Sequence, residues 1–176
     1  MKTVFMFSGQ GAQYAGMGKD LYDNYAVAKE VFDRADEVLG YSIKDICFSD
    51  EEKLGLTEFT QPAILTMSIA AMKVMQENGI NADMTAGLSL GEYSALVASG
   101  AMKFEEAVAL VQKRGKFMAE AVPNGKGGMF AIIGLDTELV EKSCEEAVKE
   151  IGGVAVPANY NAPGQIVIGG DAATVE

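Results

Sequence analysis

The tightest constraint on this chain's fold is the pentapeptide Gly87-Leu88-Ser89-Leu90-Gly91 and its flanks. A short apolar segment, Met84–Gly87, precedes it, and a helix-like run over 92–99, closed by Gly100, follows. A serine with glycines two residues to either side fits a sharp strand-to-helix turn. In that turn the serine backbone is strained, and any larger side chain at the flanking positions would clash. Such a turn belongs to α/β layering, and the rest of the chain keeps the same rhythm. Residues 3–7 form an apolar, β-favouring run that reads as a buried strand. A glycine-rich loop follows over 9–18. Helical spacing then covers 25–39, with Gly40 as a stop, and 60–78, apolar on much of its surface. A strong amphipathic helix spans 104–122, ended by Pro123-Asn124-Gly125. The expectation is an α/β domain with parallel strands.

The composition shifts after Pro123. Gly125-Lys126-Gly127-Gly128 reads as a hinge. Beyond it the pattern predicts a strand (129–133), a helix (137–150) with Asp136 as N-cap, and a strand (154–158). An Asn/Pro/Gly loop, a strand (165–168) and a helix capped by Asp171 complete it. One turn of helix cannot bury a face, so this second module reads as unfinished and the chain as truncated within it. The expected division is 1–124 and 125–176.

Charge and composition narrow the chemistry. The 176 residues carry 14 Lys+Arg against 25 Asp+Glu, a formal net charge of −11. Binding to nucleic acid or an anionic membrane needs clustered cations, so neither is an expected partner. The chain has no histidine, which removes the commonest general base and the commonest metal ligand. Cys47 and Cys144 show no zinc or disulfide spacing and read as packing residues, so no metal site is expected. The N-terminal apolar run is too short for a signal sequence or membrane span, and the expectation is a cytoplasmic protein.

Within this frame Ser89 is the candidate nucleophile, and the Leu90 amide at the start of the following helix is a candidate oxyanion donor. The first glycine loop matches neither the dinucleotide nor the phosphate-loop pattern. It reads either as a plain tight turn or as the source of a second oxyanion amide, from Gln10. Of the two arginines, Arg34 lies among acidic residues and reads as a solvated surface charge. Arg114 falls on the apolar stripe Ala107, Val111, Met118, Ala121 of its helix. An inward arginine needs an anionic or heavily hydrogen-bonding partner: a ligand carboxylate, a buried Asp, or a helix C-terminus. The ten methionines read as packing. Tyr160, between Asn159 and Asn161, reads as turn chemistry.

Four segments occur in order: Phe7-Ser8-Gly9-Gln10-Gly11-Ala12-Gln13, Gly87-Leu88-Ser89-Leu90-Gly91-Glu92, Arg114-Gly115, and Asn159-Tyr160-Asn161-Ala162-Pro163-Gly164-Gln165. Together they resemble the malonyl-CoA:acyl carrier protein transacylases of bacterial fatty acid synthesis and the related acyltransferase domains of polyketide synthases. The resemblance implies an α/β-hydrolase-like core carrying an inserted ferredoxin-like subdomain. It implies ping-pong transfer of malonyl from malonyl-CoA to Ser89 and then to the phosphopantetheine thiol of acyl carrier protein, with no cofactor. It implies oxyanion binding by the amides of Gln10 and Leu90, a carboxylate clamp at Arg114, and Asn161 on the substrate side. Two departures stand out. Leu88 occupies a position where the family usually has histidine, and the family's general-base histidine is expected beyond residue 176. Without its base the 176-residue chain is expected to be nearly inactive. The competing readings are a serine esterase or thioesterase, and a non-catalytic acyl-CoA-binding homologue.

Overall fold

Two parallel strands, β1 (Val4–Phe7) and β2 (Met84–Gly87), lie side by side, with Val4 opposite Met84 and Phe7 opposite Gly87. The computed structural model describes residues 2–121 and 126–176. They form two compact units that part between Ala119 and Glu120. The architecture is α/β.

In the first unit the connection from β1 to β2 is helical, as parallel pairing requires. It comprises α1 (Lys19–Asn24), α2 (Ala26–Leu39), α3 (Ile43–Ser49), α4 (Glu51–Leu54) and α5 (Thr57–Glu77); α6 (Leu90–Ala98) and α7 (Phe104–Ala121) follow β2. Helix α2 buries Ala28, Val31, Phe32 and Ala35 on one face, and Gly40 closes it at φ 75° with its amide on the Asp36 carbonyl. Ser42 caps α3 by accepting from the Asp45 amide at 3.2 Å, and Asp50 caps α4 by accepting from the Lys53 amide at 3.0 Å. Helix α5 is buried over most of its first half, from Thr60 to Thr66. Its centre packs with Phe32, Ile43, Leu54, Leu90, Val108 and Val111 into one core. Arg34 is exposed and pairs with Glu37 and Glu105, both at 2.9 Å.

The glycine loop after β1 is anchored rather than free. Met17 is buried, the Gly16 amide donates to the Cys47 carbonyl at 2.8 Å, and a Cβ on Gly18 would stand 2.8 Å from the Phe32 ring.

The second unit contains β3 (Gly127–Ile133), α8 (Thr137–Ile151), β4 (Ala155–Ala162), β5 (Gln165–Asp171) and α9 (Ala172–Val175). Its sheet is antiparallel with β5 in the middle, in the order β3-β5-β4. Val140, Cys144, Ala155 and Ile166 are its buried apolar residues.

Several expectations need correction. Residues 159–162 are not a loop: Asn159 pairs with Val167 and Tyr160 with Ile166, so β4 runs to Ala162 and only Pro163 and Gly164 turn. Cross-strand pairing with β5 overrides local turn propensity, and two register shifts, at Pro157/Asn159 and Tyr160/Ala162, absorb the awkward residues. Gly127 and Gly128 belong to β3 rather than a hinge, because they pair with Asp171 and Gly170. Gly125 and the Pro123-Asn124-Gly125 helix stop lie outside the described residues. Asp136 holds the N-cap position of α8 without a side-chain cap bond. The Asp171 carboxylate accepts from the Val154 amide at 2.8 Å instead of capping α9. Helix α9 is a single turn whose one buried side chain is Thr174, 5% exposed, with its hydroxyl donating to the Gly152 carbonyl at 2.9 Å. The methionines are not uniformly packing residues, since Met6, Met84 and Met129 are all exposed while Met17 and Met72 are buried. Among the described residues no helix is long and apolar enough to cross a membrane.

Candidate active site

Ser89 sits between the end of β2 and the first residue of α6 with φ 52° and ψ −105°, the only positive φ among the described non-glycine residues. A conformation this rare costs about 1–3 kcal/mol and persists only where its surroundings force it. The forcing contacts are visible. The Leu88 amide donates to the Phe7 carbonyl at 3.1 Å, and the Gly91 amide returns to the Leu88 carbonyl at 2.9 Å. The Leu90 side chain is fully buried in the core, which pins the far side of the turn. The flanking glycines are required by space, not by φ. A Cβ at Gly87 would stand 2.1 Å from the Gly91 carbonyl, and one at Gly91 would stand 2.1 Å from the Phe7 carbonyl oxygen. The serine hydroxyl is thereby held out on an exposed residue.

The first glycine loop closes against this turn. A Cβ on Gly9 would lie 2.8 Å from the Leu88 carbonyl oxygen, so only glycine lets the two backbones approach this closely. Gln10 is the next residue. The Leu90 amide, on the first residue of α6, has no intrahelical acceptor, and the helix N-terminus adds positive potential there. Leu88 is 55% exposed, so its side chain is not part of the core.

Arg114, on α7, reaches the same place. Its Nη2 donates to Ser89 Oγ at 3.1 Å and its Nη1 to Gln61 Oε1 at 2.6 Å, and its guanidinium lies 5.7 Å from the centre of the Tyr93 ring. Its helix approaches α5 closely because residue 115 is glycine: a Cβ there would stand 2.6 Å from the Thr57 carbonyl oxygen. Gln61 in turn donates to Gln10 Oε1 at 3.1 Å, and Gln10 Nε2 donates to Thr57 Oγ1 at 3.2 Å. Ser89, Arg114, Gln61, Gln10 and Thr57 therefore form one continuous hydrogen-bonded chain. Of the partners open to Arg114 from sequence, the buried Asp is excluded: among the described residues no carboxylate pairs with it, and its charge is met by an amide oxygen and a hydroxyl.

Four of the five residues singled out from sequence thus come together: Ser89, Leu90, Gln10 and Arg114. Asn161 is exposed on β4 in the second unit, beside the bulge at Tyr160/Ala162. The neighbouring Tyr160 hydroxyl donates to Glu141 on α8 at 2.6 Å. Its hydrogen bond to the Glu141 carboxylate holds the Tyr160 phenol above its ordinary range. Gln61, Thr57 and Tyr93 were not anticipated. A signal for Gln61 existed: it is a polar residue four after Thr57, at the head of an otherwise apolar run. Among the described residues no group of three or more His, Cys, Asp or Glu could hold a metal ion.

This geometry offers a strained serine hydroxyl, the free amide of Leu90 at a helix N-terminus, and a guanidinium that no carboxylate among the described residues pairs with. It suits attack on a carbonyl whose acyl group carries a negative charge. Comparison with known proteins agrees in kind. A family model described as "acyl transferase domain" matches residues 4–176. The malonyl CoA-acyl carrier protein transacylase of Bacillus subtilis is 52% identical over 176 residues, covering 99% of this chain and 55% of that protein. The crystal structure of MCAT from Streptococcus pneumoniae superposes with a TM-score of 0.90 at 53% identity, covering 99% of this chain and 56% of that one. A malonyl-transacylase in complex with its type II PKS acyl-carrier protein superposes with a TM-score of 0.91 at 44% identity, covering 99% of this chain and 57% of that one. The chain spans about half the length of the curated relatives it matches.

Proposed function

Because the chain belongs to the acyl transferase domain family, we propose that it carries the nucleophile-bearing part of a malonyl-CoA:acyl carrier protein transacylase of fatty acid biosynthesis, working in the cytoplasm. The observation that carries this reading is the 3.1 Å contact between Arg114 Nη2 and Ser89 Oγ. A malonyl thioester has its free carboxylate one methylene away from its reactive carbonyl. A guanidinium beside the nucleophile can therefore hold the carboxylate while the carbonyl meets the serine.

In this reading Ser89 Oγ attacks the thioester carbonyl, and the amides of Leu90 and Gln10 receive the developing oxyanion. The coenzyme A thiolate leaves, and malonyl stays on Ser89 as an ester. The phosphopantetheine thiol of the carrier protein then attacks that ester and frees the serine. No cofactor is needed, because both leaving group and acceptor are thiols. Serine is a weak nucleophile without a base, and this chain contains no histidine. We assign proton removal to a histidine outside these 176 residues.

The architectural reading follows from the two units. The parallel β1–β2 pair with Ser89 at its helix junction supports an α/β-hydrolase-like core. The order β3-β5-β4, with α8 crossing between β3 and β4, supports a split βαβ module of ferredoxin-like kind inserted in it. We propose the domain division at 124/125, five residues past the point where the two compact units part, and place Asn161 on the substrate side of that module.

The test is a transfer assay on the protein expressed from its complete reading frame, given malonyl-CoA and a phosphopantetheinylated carrier protein. Malonyl-carrier protein is the expected product. Free malonic acid as the main product would make the protein a thioesterase, and coenzyme A thioester binding without any acyl transfer would make it a binding homologue.

A further inference from the structure

We propose that Gln61 is the positioning residue that makes the Arg114 fork selective for a carboxylate-bearing acyl group. It does so by tying Arg114 to the loop that carries the Gln10 amide. The inference rests on the transacylase reading above and adds to it a residue for which that reading has no role.

Gln61 is 1% exposed, and a buried amide left unbonded is costly. Both of its ends are used. Its Oε1 accepts from Arg114 Nη1 at 2.6 Å, and its Nε2 donates to Gln10 Oε1 at 3.1 Å, with Met118 Sδ at 3.8 Å. The direction of the whole chain is set by chemistry. Arginine can only donate, so Gln61 must present its oxygen to Arg114 and its nitrogen to Gln10. Gln10 must then offer its own oxygen to Gln61, which leaves its nitrogen for Thr57 Oγ1 at 3.2 Å. One arginine thus fixes the orientation of two amides.

Two consequences follow for the site. The Nη1 side of the guanidinium is occupied by a neutral acceptor, so Arg114 is oriented without being neutralised. Its Nη2 is aimed at Ser89 Oγ, where the acyl group arrives. The same Gln61 holds the Gln10 side chain, so the carboxylate clamp and the oxyanion loop share one support. Thr57 and Gln61 lie four apart on α5 and present one face to both partners. Without Gln61, Arg114 keeps its charge but loses its aim.

The readout is a ratio that a merely structural residue would not move: the affinity for malonyl-CoA over that for acetyl-CoA. It is measured calorimetrically on a Ser89→Ala background, which binds without acylating, in protein from the complete reading frame. Gln61→Met keeps the volume and removes the acceptor. The ratio is expected to fall by about tenfold to a hundredfold, the range for losing a hydrogen bond to a charged group, with acetyl-CoA affinity nearly unchanged. Gln61→Glu is the second variant, in case the first does not fold. It places a carboxylate permanently on Arg114, and it is expected to lower malonyl-CoA affinity at least as far. An unchanged ratio in a folded Gln61→Met or Gln61→Glu protein overturns the inference, provided Arg114→Ala abolishes the preference. If Arg114→Ala leaves the ratio intact, or the Ser89→Ala parent shows no preference for malonyl-CoA, the carboxylate reading fails and this inference fails with it.

Discussion

Replacing Gly91 with alanine tests the steric logic of the serine turn. Gly91 has no positive φ, so a methyl group there meets no backbone penalty, only neighbours. Its Cβ would stand 2.1 Å from the Phe7 carbonyl oxygen, 2.7 Å from the Phe7 carbonyl carbon and 2.9 Å from the Ser8 carbonyl oxygen. All three are backbone atoms of the β1 end, and none can swing aside as a side chain would. Relief requires α6 and β1 to part by about 1 Å, the gap between this contact and the shortest tolerable one. Overpacking of this kind costs about 1–3 kcal/mol. The same movement carries the Leu90 amide away from the loop that bears Gln10, and a displacement of about 1 Å at a reacting site can cost about a hundredfold in rate. Gly91→Ala should therefore lower both urea stability and the single-turnover rate of Ser89 acylation. Gly100→Ala is the control. It has φ 78° and nothing within 4 Å of a new Cβ, so it should cost about 1–2 kcal/mol through backbone strain while leaving acylation intact. A Gly91→Ala protein that acylates within twofold of the parent and unfolds at the same urea concentration would show that the turn does not depend on glycine at position 91.

Other outcomes follow from the same structure. Ser89→Gly should raise stability by about 0–2 kcal/mol, read by urea unfolding, because relief of the φ 52° strain outweighs the backbone entropy that glycine loses on folding, while abolishing acylation. Arg114→Lys should lose most of the preference for malonyl-CoA over acetyl-CoA, since an ammonium cannot hold Gln61 and a carboxylate in one plane; competition binding reads this. Burial, with the Asp36 carboxylate adding to it, pushes the Cys47 thiol up to about 12 from an ordinary 9.0. The native thiol then stays protonated where the unfolded one ionises, so its contribution is present below pH 9 and is lost as pH rises toward 12. At pH 10.5 the loss is about 2 kcal/mol, and Cys47→Ala should remove that part of the alkaline slope in unfolding experiments.

The parts of this protein legible in sequence are those written in local patterns. Ser89 was legible because a strained turn demands glycine at 87 and 91, and each demand is met by a named backbone neighbour. Arg114 was legible as an inward-facing cation because a helix has a period. Its partner was not, because Gln61 lies on another helix and nothing local to either residue encodes their meeting. The close approach of α5 and α7 is enabled by Gly115, which in sequence is only a glycine inside a helix. Residues 159–162 misled in the opposite sense. Their Asn and Pro neighbours favour a turn locally, but pairing with β5 across the sheet decides their conformation. Local chemistry set the elements, and contacts distant in sequence set the site.

In the proposed reaction Ser89 takes a malonyl group from coenzyme A under the control of Arg114. Intact-protein mass spectrometry tests it most directly, on the protein from its complete reading frame, before and after mixing with malonyl-CoA. The expected result is a mass gain of one malonyl group that is absent in Ser89→Ala, strongly reduced in Arg114→Ala, and not matched by acetyl-CoA. A folded protein that gains no mass, or one that gains it equally with Ser89 replaced, would rule out Ser89 as the malonyl acceptor.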